Sequence, residues 1–364
     1  MQKAPTIRDV ARVAGVSAAV VSRVLNEGTG SVASSTRAKV VQAIDELAYR
    51  PRAAARELSN GSRSSPIGLV LTDVMNPFFA KLADRIVWEA RARGVQVVLM
   101  TTQEDPHVEG QVLDTLMNHM VGGVIATPTG GNKDKWARLQ KAGVNLVFVD
   151  RTITELPSTD LVSIHNVLSA STTAEYLIGL GHERIGLVSG PLSTSTGRAR
   201  VMGYRQALTK AGLAWDPRLV RDIPFRGAAG GDAVSSLLAL EDAPTALVVA
   251  NTAQVHHALL RLTQMGINIP HELSVIIFDD NPWAEIVTPS LSAIQQPIEM
   301  LALHSVELLL DRMRGQLPPE AQTIQVQSEF ISRNSCAPPP YVRPSADARS
   351  DFRTGVSRPP EYTP

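Results

Sequence analysis

The sequence predicts an α/β protein with two doubly wound lobes and a separate all-α head at its N-terminus. Short apolar runs alternate with amphipathic segments from residue 67 to about residue 336, and two such sets lie before and after about residue 163. The head is indicated by charge, since residues 1–65 carry ten basic and five acidic residues although the whole chain, with 35 of each, is neutral. This local basic surplus is typical of a surface that meets an anionic partner.

Composition excludes several classes of protein. A chain of 364 residues has room for two to three domains, and a hydrophobic fraction of 44% excludes wholesale disorder. The single cysteine, Cys336, excludes an intramolecular disulfide and a cysteine-based zinc site. No apolar run approaches the length of a membrane span, and the N-terminus lacks an apolar leader. We therefore expect a cytoplasmic protein that does not enter a membrane.

The first segment of the chain predicts a helix-turn-helix. Thr6 and Asp9 have the spacing of a capping box that opens a first helix. Gly15 supplies a tight turn, and Ser17 can cap a second helix that ends near Leu25. A third amphipathic segment completes a small core. An arbitrary three-helix bundle is the alternative, and the basic surplus around the second helix argues against it.

The larger region predicts parallel sheets covered by helices. Its predicted strands are the buried apolar runs Ile67–Leu71, Val95–Met100, Gly123–Ala126, Leu146–Val149, Ile185–Val188, Leu247–Ala250 and Val275–Phe278. Its predicted helices include Ala80–Arg93, Val108–His119, Ser169–Gly179, Gly197–Ala211 and Ala253–Met265. Periodicity alone leaves a TIM barrel open as the structural alternative.

Enzyme chemistry finds little support in the motifs. The chain has no G-x-S-x-G elbow, no P-loop lysine and no G-x-G-x-x-G after a strand. His256 and His257 are adjacent, so they do not present two metal ligands on one helical face. An enzyme of the doubly wound class is therefore the weaker alternative, and we expect no catalytic residue, no metal and no cofactor.

Several motifs then resemble those of the lac/galactose repressor (LacI-GalR) family. The head carries Thr6-Ile7-Arg8-Asp9-Val10-Ala11, Ala14-Gly15-Val16-Ser17 and Val21-Ser22-Arg23-Val24-Leu25-Asn26. The resemblance continues through Leu47-Ala48-Tyr49-Arg50-Pro51, Asn76-Pro77-Phe78-Phe79, Val149-Asp150-Arg151, Gly181-His182-Glu183-Arg184-Ile185 and Phe278-Asp279-Asp280. It covers about residues 5–336. It implies a transcriptional regulator, with repression as its expected action, whose second helix enters the major groove of DNA.

The resemblance implies one set of residues for DNA. The implied contacts are Thr6, Ser17, Ala18, Ala19, Ser22, Arg23, Asn26 and Thr36 in the head, and Arg52, Ala55 and Leu58 in a hinge helix. Arg23 can donate two hydrogen bonds to guanine, whereas Ala18 and Ala19 can contact only a thymine methyl group. Leu58 would be a wedge in the minor groove, where an apolar side chain bends the duplex.

The resemblance also implies a small-molecule effector held between two lobes of the periplasmic-binding-protein type. The implied contacts are Thr72, Asp73, Phe78, Phe79, Asp150, Arg200, Phe225, Asn251 and Asp279. Carboxylates, a guanidinium and an amide suit the hydroxyl groups of a sugar, and aromatic faces suit its C–H surface. A nucleobase or nucleoside is the alternative ligand, because the phenylalanines and Arg200 could clamp a purine. The phenylalanines could instead be core residues, and Asp280 is predicted to cap a helix.

These interpretations together predict the domains and partners. We expect a head at 1–50, a hinge helix and linker at 51–65, an effector-binding and dimerisation domain at 66–336, and a disordered Pro-rich tail at 337–364. The first lobe is predicted at about 66–163 plus 293–322, and the second at 164–292 plus 323–336. The tail lacks a leucine heptad through which two dimers could join, so we expect a homodimer and no tetramer. A two-fold symmetric dimer would bind a palindromic operator. A sugar-binding receptor without a DNA role is the alternative of a different class, and it would lack the head.

Overall fold

Three short helices form the head in the computed structural model, which describes residues 6–25, 32–47, 65–118, 121–156 and 158–339. They are α1 (Ile7–Ala14), α2 (Ala18–Leu25) and α3 (Ser34–Glu46). α1 begins with the predicted capping box and ends at Gly15, whose φ of +65° is the left-handed conformation that glycine adopts without strain. Small apolar side chains from all three helices, centred on Val10, Val21 and Val40, form the core of the head. The predicted hinge helix and most of the Pro-rich tail lie outside the described residues.

The rest of the described chain alternates strands and helices. The strands are β1 (Ile67–Leu71), β2 (Val97–Thr101), β3 (Gly123–Ala126), β4 (Asn145–Val149), β5 (Asp160–Ile164), β6 (Ile185–Ser189), β7 (Val220–Asp222), β8 (Ala246–Ala250), β9 (Ser274–Phe278), β10 (Ser292–Gln295), β11 (Thr323–Val326) and β12 (Glu329–Ile331). The helices are α4 (Pro77–Ala92), α5 (Pro106–Asn118), α6 (Lys133–Lys141), α7 (Asn166–Gly179), α8 (Ser195–Lys210), α9 (Ala229–Leu238), α10 (Thr252–Gln264), α11 (Pro282–Ile286) and α12 (Ile298–Met313).

These strands form two separate six-stranded sheets. The first has the order β11-β5-β4-β3-β1-β2, and all of its neighbours are parallel. The second has the order β12-β10-β9-β8-β6-β7, and only β12 runs antiparallel to its neighbour. Each sheet is therefore an open, doubly wound layer with helices on its faces. The predicted fold class is confirmed, and the TIM-barrel alternative is wrong for the described region.

The chain crosses between the lobes at places that differ from the predicted boundaries. Strand β11 pairs with β5 in the first sheet, although residues 323–336 were assigned to the second lobe. Strand β10, of which residues 293–295 were assigned to the first lobe, pairs with β9 in the second sheet. Helix α12 packs against α4 of the first lobe. The prediction failed here because β10, β11 and β12 are short, and only their long-range pairing shows to which sheet each belongs.

The central strands of both sheets are buried, whereas the edge strand β2 is partly exposed. In the first lobe, β1 is fully buried, and α4 and α12 cover one face of its sheet. In the second lobe, β6, β8 and β9 are likewise buried from end to end. The polar side chains that follow these strands lie at the carboxyl edge of each parallel sheet, which is where such sheets bind ligands. Among the described residues, none of the helices combines the length and the hydropathy that a membrane-spanning helix needs.

Candidate functional site

Helix α2 presents a mixed surface of small and basic side chains. Ser17, Ala19 and Arg23 are exposed, and Ser22 is half-buried. The side chain of Ala18 is also half-buried and packs against the core of the head. Three of the predicted base-reading residues are therefore accessible to a duplex, and Ala18 contributes at least partly to packing.

The predicted DNA contact at Thr6 has a clear local role. Its hydroxyl donates to a carboxylate oxygen of Asp9 at 2.7 Å, and its backbone N–H donates to the same carboxylate at 2.9 Å. These bonds lower the pKa of Asp9. Thr36 lies half-buried in the first turn of α3. A DNA contact at either residue stays a prediction, as it does for Asn26, Arg52, Ala55 and Leu58, which lie outside the described residues.

Four of the predicted effector residues follow the carboxyl ends of parallel strands. Thr72 follows β1, Asp150 follows β4, Asn251 follows β8 and Asp279 follows β9, and all four side chains are buried. Asp150 and Asp279 have φ angles of +69° and +66°, a left-handed conformation that is uncommon for residues other than glycine. Such strained positions cluster at ligand sites, where the surrounding structure holds them in place.

Arg200 is the central cation of the second lobe. Its Nε donates to Oδ1 of Asn166 at 2.9 Å, and its Nη1 donates to the carbonyl oxygen of Ala250 at 2.9 Å. Its guanidinium also lies 4.3 Å from the ring centroid of Phe278. Burial lowers the pKa of Arg200, while Asp279 and Asp150 oppose this effect. Arg200 is thus held from one side, and its Nη2 has no hydrogen bond among the described residues.

Asp279 is a buried carboxylate with two close side-chain donors. One of its oxygens accepts from Gln296 Nε2 at 2.5 Å, and the other accepts from the hydroxyl of Thr252. Burial raises the pKa of Asp279 to about 6, although Arg200 and Gln296 act in the opposite direction. Burial also raises the pKa of Asp150, against the charges of Arg151 and Arg200. A carboxylate kept dry in this way is a strong acceptor for a ligand hydroxyl.

The buried polar atoms without a hydrogen-bond partner among the described residues include three on the residues directly after β1, β8 and β10. They are Thr72 Oγ1, Asn251 Oδ1 and Gln296 Oε1. Buried polar atoms are almost always hydrogen-bonded, because an unpaired one costs about 1–3 kcal/mol. The amide oxygens of Asn251 and Gln296 can only accept hydrogen bonds, so they favour a ligand that is rich in hydroxyl or N–H groups.

The predicted aromatic residues take different positions. Phe78 and Phe79 form an edge-to-face pair with centroids 5.0 Å apart and belong to the core of the first lobe, as the alternative interpretation expected. Phe78 nevertheless lines a cavity of about 380 Å³ together with Asp279. Phe225 is half-buried and lines a second cavity, of about 280 Å³, with Asp73. Asp73 also forms an ion pair with Arg226 of the second lobe, at 3.6 Å.

Several residues of the site were not predicted, and Arg151 is the most prominent. Its two Nη atoms donate to the two carboxylate oxygens of Glu104 at 2.8 and 2.9 Å. Its guanidinium lies 4.0 Å from the ring centroid of Phe225. Arg151 also lies 3.4 Å from Asp150, but its main partner is Glu104. The sequence signal was present, because Arg151 directly follows the aspartate at the end of β4.

The other unpredicted residues depend on unpredicted elements. Gln296 follows β10 and Asn166 follows β5 by two residues, and neither strand was among those predicted. Gln254 accepts from Gly230 N–H at 2.8 Å and donates to the carbonyl oxygen of Pro224 at 2.8 Å, which holds the loop that carries Phe225. With β5 and β10 assigned, their polar followers would have been candidates by the same rule as Asn251.

The helix-cap prediction for Asp280 is wrong. Asn281 takes the cap position of α11, and Asp280 instead accepts from Arg333 Nη1 and Nη2 at 2.9 and 2.7 Å. This pair ties the strand end of β9 to the segment after β12. Across the described part of the chain, no group of three or more potential metal ligands comes together.

Comparison with known proteins places both parts of the chain in families. Residues 6–52 match the model described as "Bacterial regulatory proteins, lacI family", and residues 174–336 match the "Periplasmic binding protein-like domain". The chain is 32% identical over 336 residues to the HTH-type transcriptional regulator DegA of Bacillus subtilis (strain 168). The aligned region covers 92% of this chain and 98% of DegA.

Solved structures show the same architecture. The transcriptional regulator CelR, solved as a complex with cellobiose, is 29% identical to this chain and superposes with a TM-score of 0.70. The alignment covers 91% of this chain and 99% of CelR. The lac repressor dimer bound to operator and the anti-inducer ONPF is 26% identical, with a TM-score of 0.71, and covers 92% and 100%. The resemblance noted in the sequence is confirmed, and a receptor without a DNA role is not favoured. The chain belongs to the lacI family of bacterial regulatory proteins and is a DNA-binding transcriptional regulator.

Proposed function

We propose that this chain is a repressor whose affinity for operator DNA is controlled by a sugar or sugar derivative bound between its two lobes. One observation carries the proposal. Buried polar side chains meet at the carboxyl ends of strands in both lobes, and Asn251 and Gln296 each have an acceptor oxygen without a partner. A ligand held there touches both lobes, so it can favour one lobe arrangement over another.

The chemistry of the cleft suits a polyol. Each hydroxyl group of a sugar can donate one hydrogen bond and accept others. Asp150, Asn251 and Gln296 offer acceptors, and the Nη2 of Arg200 offers a donor. The relative CelR has been solved as a complex with cellobiose, which supports this ligand class. The predicted effector residues are proposed as the contact set, with Asn166 and Gln296 added to it.

The proposed DNA surface is the exposed face of α2. Arg23 would read guanine in the major groove, and Ser17, Ala19 and Ser22 would contact the neighbouring bases or phosphates. The lac repressor dimer has been solved on its operator, which supports this mode of docking. We also propose that the regulator acts in the cytoplasm and has no enzymatic activity, since its relatives are named as regulators.

The proposed assembly is a homodimer. Strand β2 is the edge of the first sheet, and its Val98 and Leu99 are nearly half exposed. Trp88 on α4 and Met117 on α5 are also exposed, and both helices contact β2. An apolar edge strand is an aggregation hazard unless something covers it. A second copy of the chain would cover it and would place two heads on a two-fold symmetric operator.

The test is a ligand screen followed by a DNA-binding assay. We expect one or more mono- or disaccharides to raise the melting temperature of the full-length protein, because a ligand that binds only the folded state stabilises it. The same sugar should change the affinity for operator by about 5–150-fold. Arg200→Ala should abolish both responses. The control Arg218→Ala changes an exposed arginine of the second lobe and should leave both unchanged.

Two results would contradict the proposal. One is a bound sugar that leaves the operator affinity unaltered. The other is an Arg200→Ala variant that responds to the sugar at the same concentration as the unaltered protein. If Arg200→Ala also lost operator binding in the absence of ligand, Arg200 would be a structural residue instead.

A further inference from the structure

We propose that a cavity at the hinge between the two lobes binds a small organic amine, and that a bound amine favours one relative position of the lobes. The cavity, which we call the hinge cavity, has a volume of about 440 Å³. None of the residues that line it belongs to the contact set proposed for the effector. Binding to the hinge cavity does not depend on the proposed function, whereas its effect on DNA affinity does.

The wall of the hinge cavity is formed by segments that pass from one sheet to the other. His165 lies between β5 of the first sheet and α7 of the second lobe, and Gln327 and Ser328 lie between β11 of the first sheet and β12 of the second. Ile294 lies in β10, whose end leads through another crossover to α12 of the first lobe. Two crossovers therefore form part of the wall, and the third begins next to it.

Hydrogen bonds join the two crossovers in the wall. The backbone N–H of His165 donates to the carbonyl oxygen of Val326 at 3.2 Å, and the hydroxyl groups of Ser169 and Ser328 share a hydrogen bond of 2.7 Å. When lobes rotate relative to each other, the connecting residues absorb the change in backbone angles, so the shape of the hinge cavity must change as well. A ligand that fits one shape therefore favours one lobe arrangement.

The lining of the hinge cavity suits a molecule with an apolar body and a cationic head. Leu168, Ile294 and Phe330 supply apolar surface, and a cation can also be held over the face of an aromatic ring. Glu329 is the only carboxylate among the described residues of the lining, and none of them is a lysine or an arginine. An anion would therefore meet no counter-charge, whereas an ammonium group would meet the carboxylate of Glu329.

Two polar side chains of the lining are available to a ligand. The side chains of Gln327 and Glu329 are exposed, and within the described part of the chain neither makes a hydrogen bond or an ion pair. They can therefore turn toward a ligand without breaking a contact with the protein. The volume of the hinge cavity also lies in the range of small-molecule sites, about 300–1,000 Å³.

The proposed dimer leaves the hinge cavity open. The dimer is proposed to form through β2, which is one edge of the first sheet, whereas the hinge cavity lies next to the end of β11, the opposite edge. A second copy that covers β2 therefore does not close the entrance, and an amine can reach the hinge cavity in the assembled protein.

The first test measures binding and its dependence on charge. Benzylamine is the probe, because it combines one aromatic ring with one ammonium group, and benzoate is the control probe with the same ring and the opposite charge. Equilibrium dialysis against the full-length protein, without DNA, measures both. We expect benzylamine to bind about tenfold or more tightly than benzoate. Equal binding of the two probes, or no binding of benzylamine at millimolar concentration, would overturn the proposal.

A matched pair of variants tests the role of the carboxylate. Glu329→Gln removes the charge of an exposed side chain with little change in shape, and we expect it to weaken benzylamine binding about fivefold or more. Glu175→Gln removes an exposed carboxylate of α7 that pairs with Lys210 outside the hinge cavity, and it should leave the affinity unchanged. The same loss in both variants, or no loss in Glu329→Gln, contradicts the proposed site.

A second pair of variants tests the location. Leu168 is 49% exposed on α7, so Leu168→Arg can place a cation in the wall without disturbing the core, and it should abolish benzylamine binding. Met265→Arg adds the same charge directly after α10, outside the hinge cavity, and should bind benzylamine as the unaltered protein does. A folded Leu168→Arg protein, as judged by circular dichroism, that retains the affinity would place the probe elsewhere and overturn the proposal, as would equal losses in both variants.

The effect on DNA is measured separately, with a duplex selected in vitro for binding to this protein. Saturating benzylamine should change the affinity for that duplex by about 5–150-fold, and Glu329→Gln should shift the response to higher benzylamine concentration. Bound benzylamine that leaves the DNA affinity unaltered would overturn the proposed coupling to the lobes. The dialysis contains neither DNA nor sugar, so a failure of sugar regulation is distinguishable from a failure of the hinge cavity.

Discussion

Asp150 and Asp279 each combine a buried carboxyl group with a left-handed backbone conformation. Each of these features costs stability, and the combination recurs at the end of a strand in both lobes. Asp160 provides a contrast, because it is equally buried but is neutralised by Arg312 at the start of a strand. The loss of folding stability at Asp150 and Asp279 is consistent with a role in binding. A ligand would meet acceptor groups that are already desolvated and oriented, so they need not be rearranged when it binds.

Asp279 should make the protein less stable as the pH rises. Because its folded-state pKa is raised to about 6 from 3.8, the folded protein holds the proton more tightly than the unfolded chain does. The stability from this proton is fully present below about pH 4 and is lost as the pH rises through 6, a loss of up to about 3 kcal/mol. Asp279→Asn should remove this part of the pH dependence.

Denaturant unfolding at pH 4.5 and pH 7.5 checks this prediction. Between these two values the unaltered protein should lose more unfolding free energy than Asp279→Asn does. Asp73→Asn is the matched control, because Asp73 is a more exposed carboxylate at a strand end of the other lobe. The same pH dependence for the unaltered protein and Asp279→Asn would contradict the prediction.

Arg23→Ala should remove most of the preference for operator over random DNA. One bidentate contact to guanine is worth about 1–3 kcal/mol of discrimination, and a dimer makes the contact twice. Fluorescence anisotropy at a fixed salt concentration would measure both affinities. Arg12→Ala removes an exposed arginine of α1 and is the control, with an unchanged ratio of the two affinities. An Arg23→Ala protein that discriminates as well as the unaltered one would place base reading elsewhere.

At the scale of the element, short-range chemistry decided where helices begin and long-range pairing decided where strands belong. The head illustrates the first case, since α1 begins at the predicted capping box and ends at the predicted glycine. Strands β10 and β11 illustrate the second. Their four residues each are too few for a clear apolar pattern, and each lies next to a crossover between the lobes.

Thr6→Ala should weaken α1 without changing its boundaries. The change removes the hydroxyl that accepts from Asp9 N–H and donates to the Asp9 carboxylate, at a cost of about 1 kcal/mol. Hydrogen exchange should show faster exchange of the α1 amides, and Thr6→Ser should restore their protection. If Thr6→Ala reduced operator affinity while the exchange of α1 stayed the same, Thr6 would be a DNA contact and not chiefly a cap.

At the scale of the whole molecule, two sheets joined by several crossovers form a cleft whose walls come from different segments of the chain. Contacts bridge the lobes at the mouth of the cleft. Arg226 donates to the carbonyl and side-chain oxygens of Gln103 at 3.1 and 3.2 Å, and Thr152 N–H donates to the Ser195 hydroxyl at 3.0 Å. These contacts are specific to one relative position of the lobes. Ligand binding can therefore alter a two-state equilibrium of the whole molecule.

Val98→Asp should convert the dimer to monomers. The change puts a charge on the apolar edge strand β2, which we propose to be covered by a second copy. Light scattering at micromolar concentration would measure the mass. Met202→Asp, which alters an exposed apolar residue on α8 of the other lobe, is the control and should stay dimeric. A dimeric Val98→Asp protein, or an unaltered protein that is monomeric without DNA, would contradict the proposed interface.

The architecture could be predicted from the pattern of apolar runs and helices, and most polar residues of the candidate cleft from the family resemblance. Buried strands are continuous apolar runs, and the family resemblance named Asp150, Asn251 and Asp279. Their positions agree with the rule that ligands bind where the carboxyl ends of parallel strands meet. Helix α2 was predictable because capping and turn chemistry act over a few residues, whereas Arg23 was named by the family resemblance.

The contacts inside the cleft could not be predicted, because they join residues that are far apart in the chain. Arg151 could have paired with its neighbour Asp150, but its main partner is Glu104, which lies 47 positions earlier. The ring of Phe225 comes from the other lobe, and its contact with Arg151 is a contact between segments that no local pattern connects. The physical reason is that side-chain partners are selected by packing and desolvation in three dimensions. Sequence spacing reports these forces only within a single helix, strand or turn.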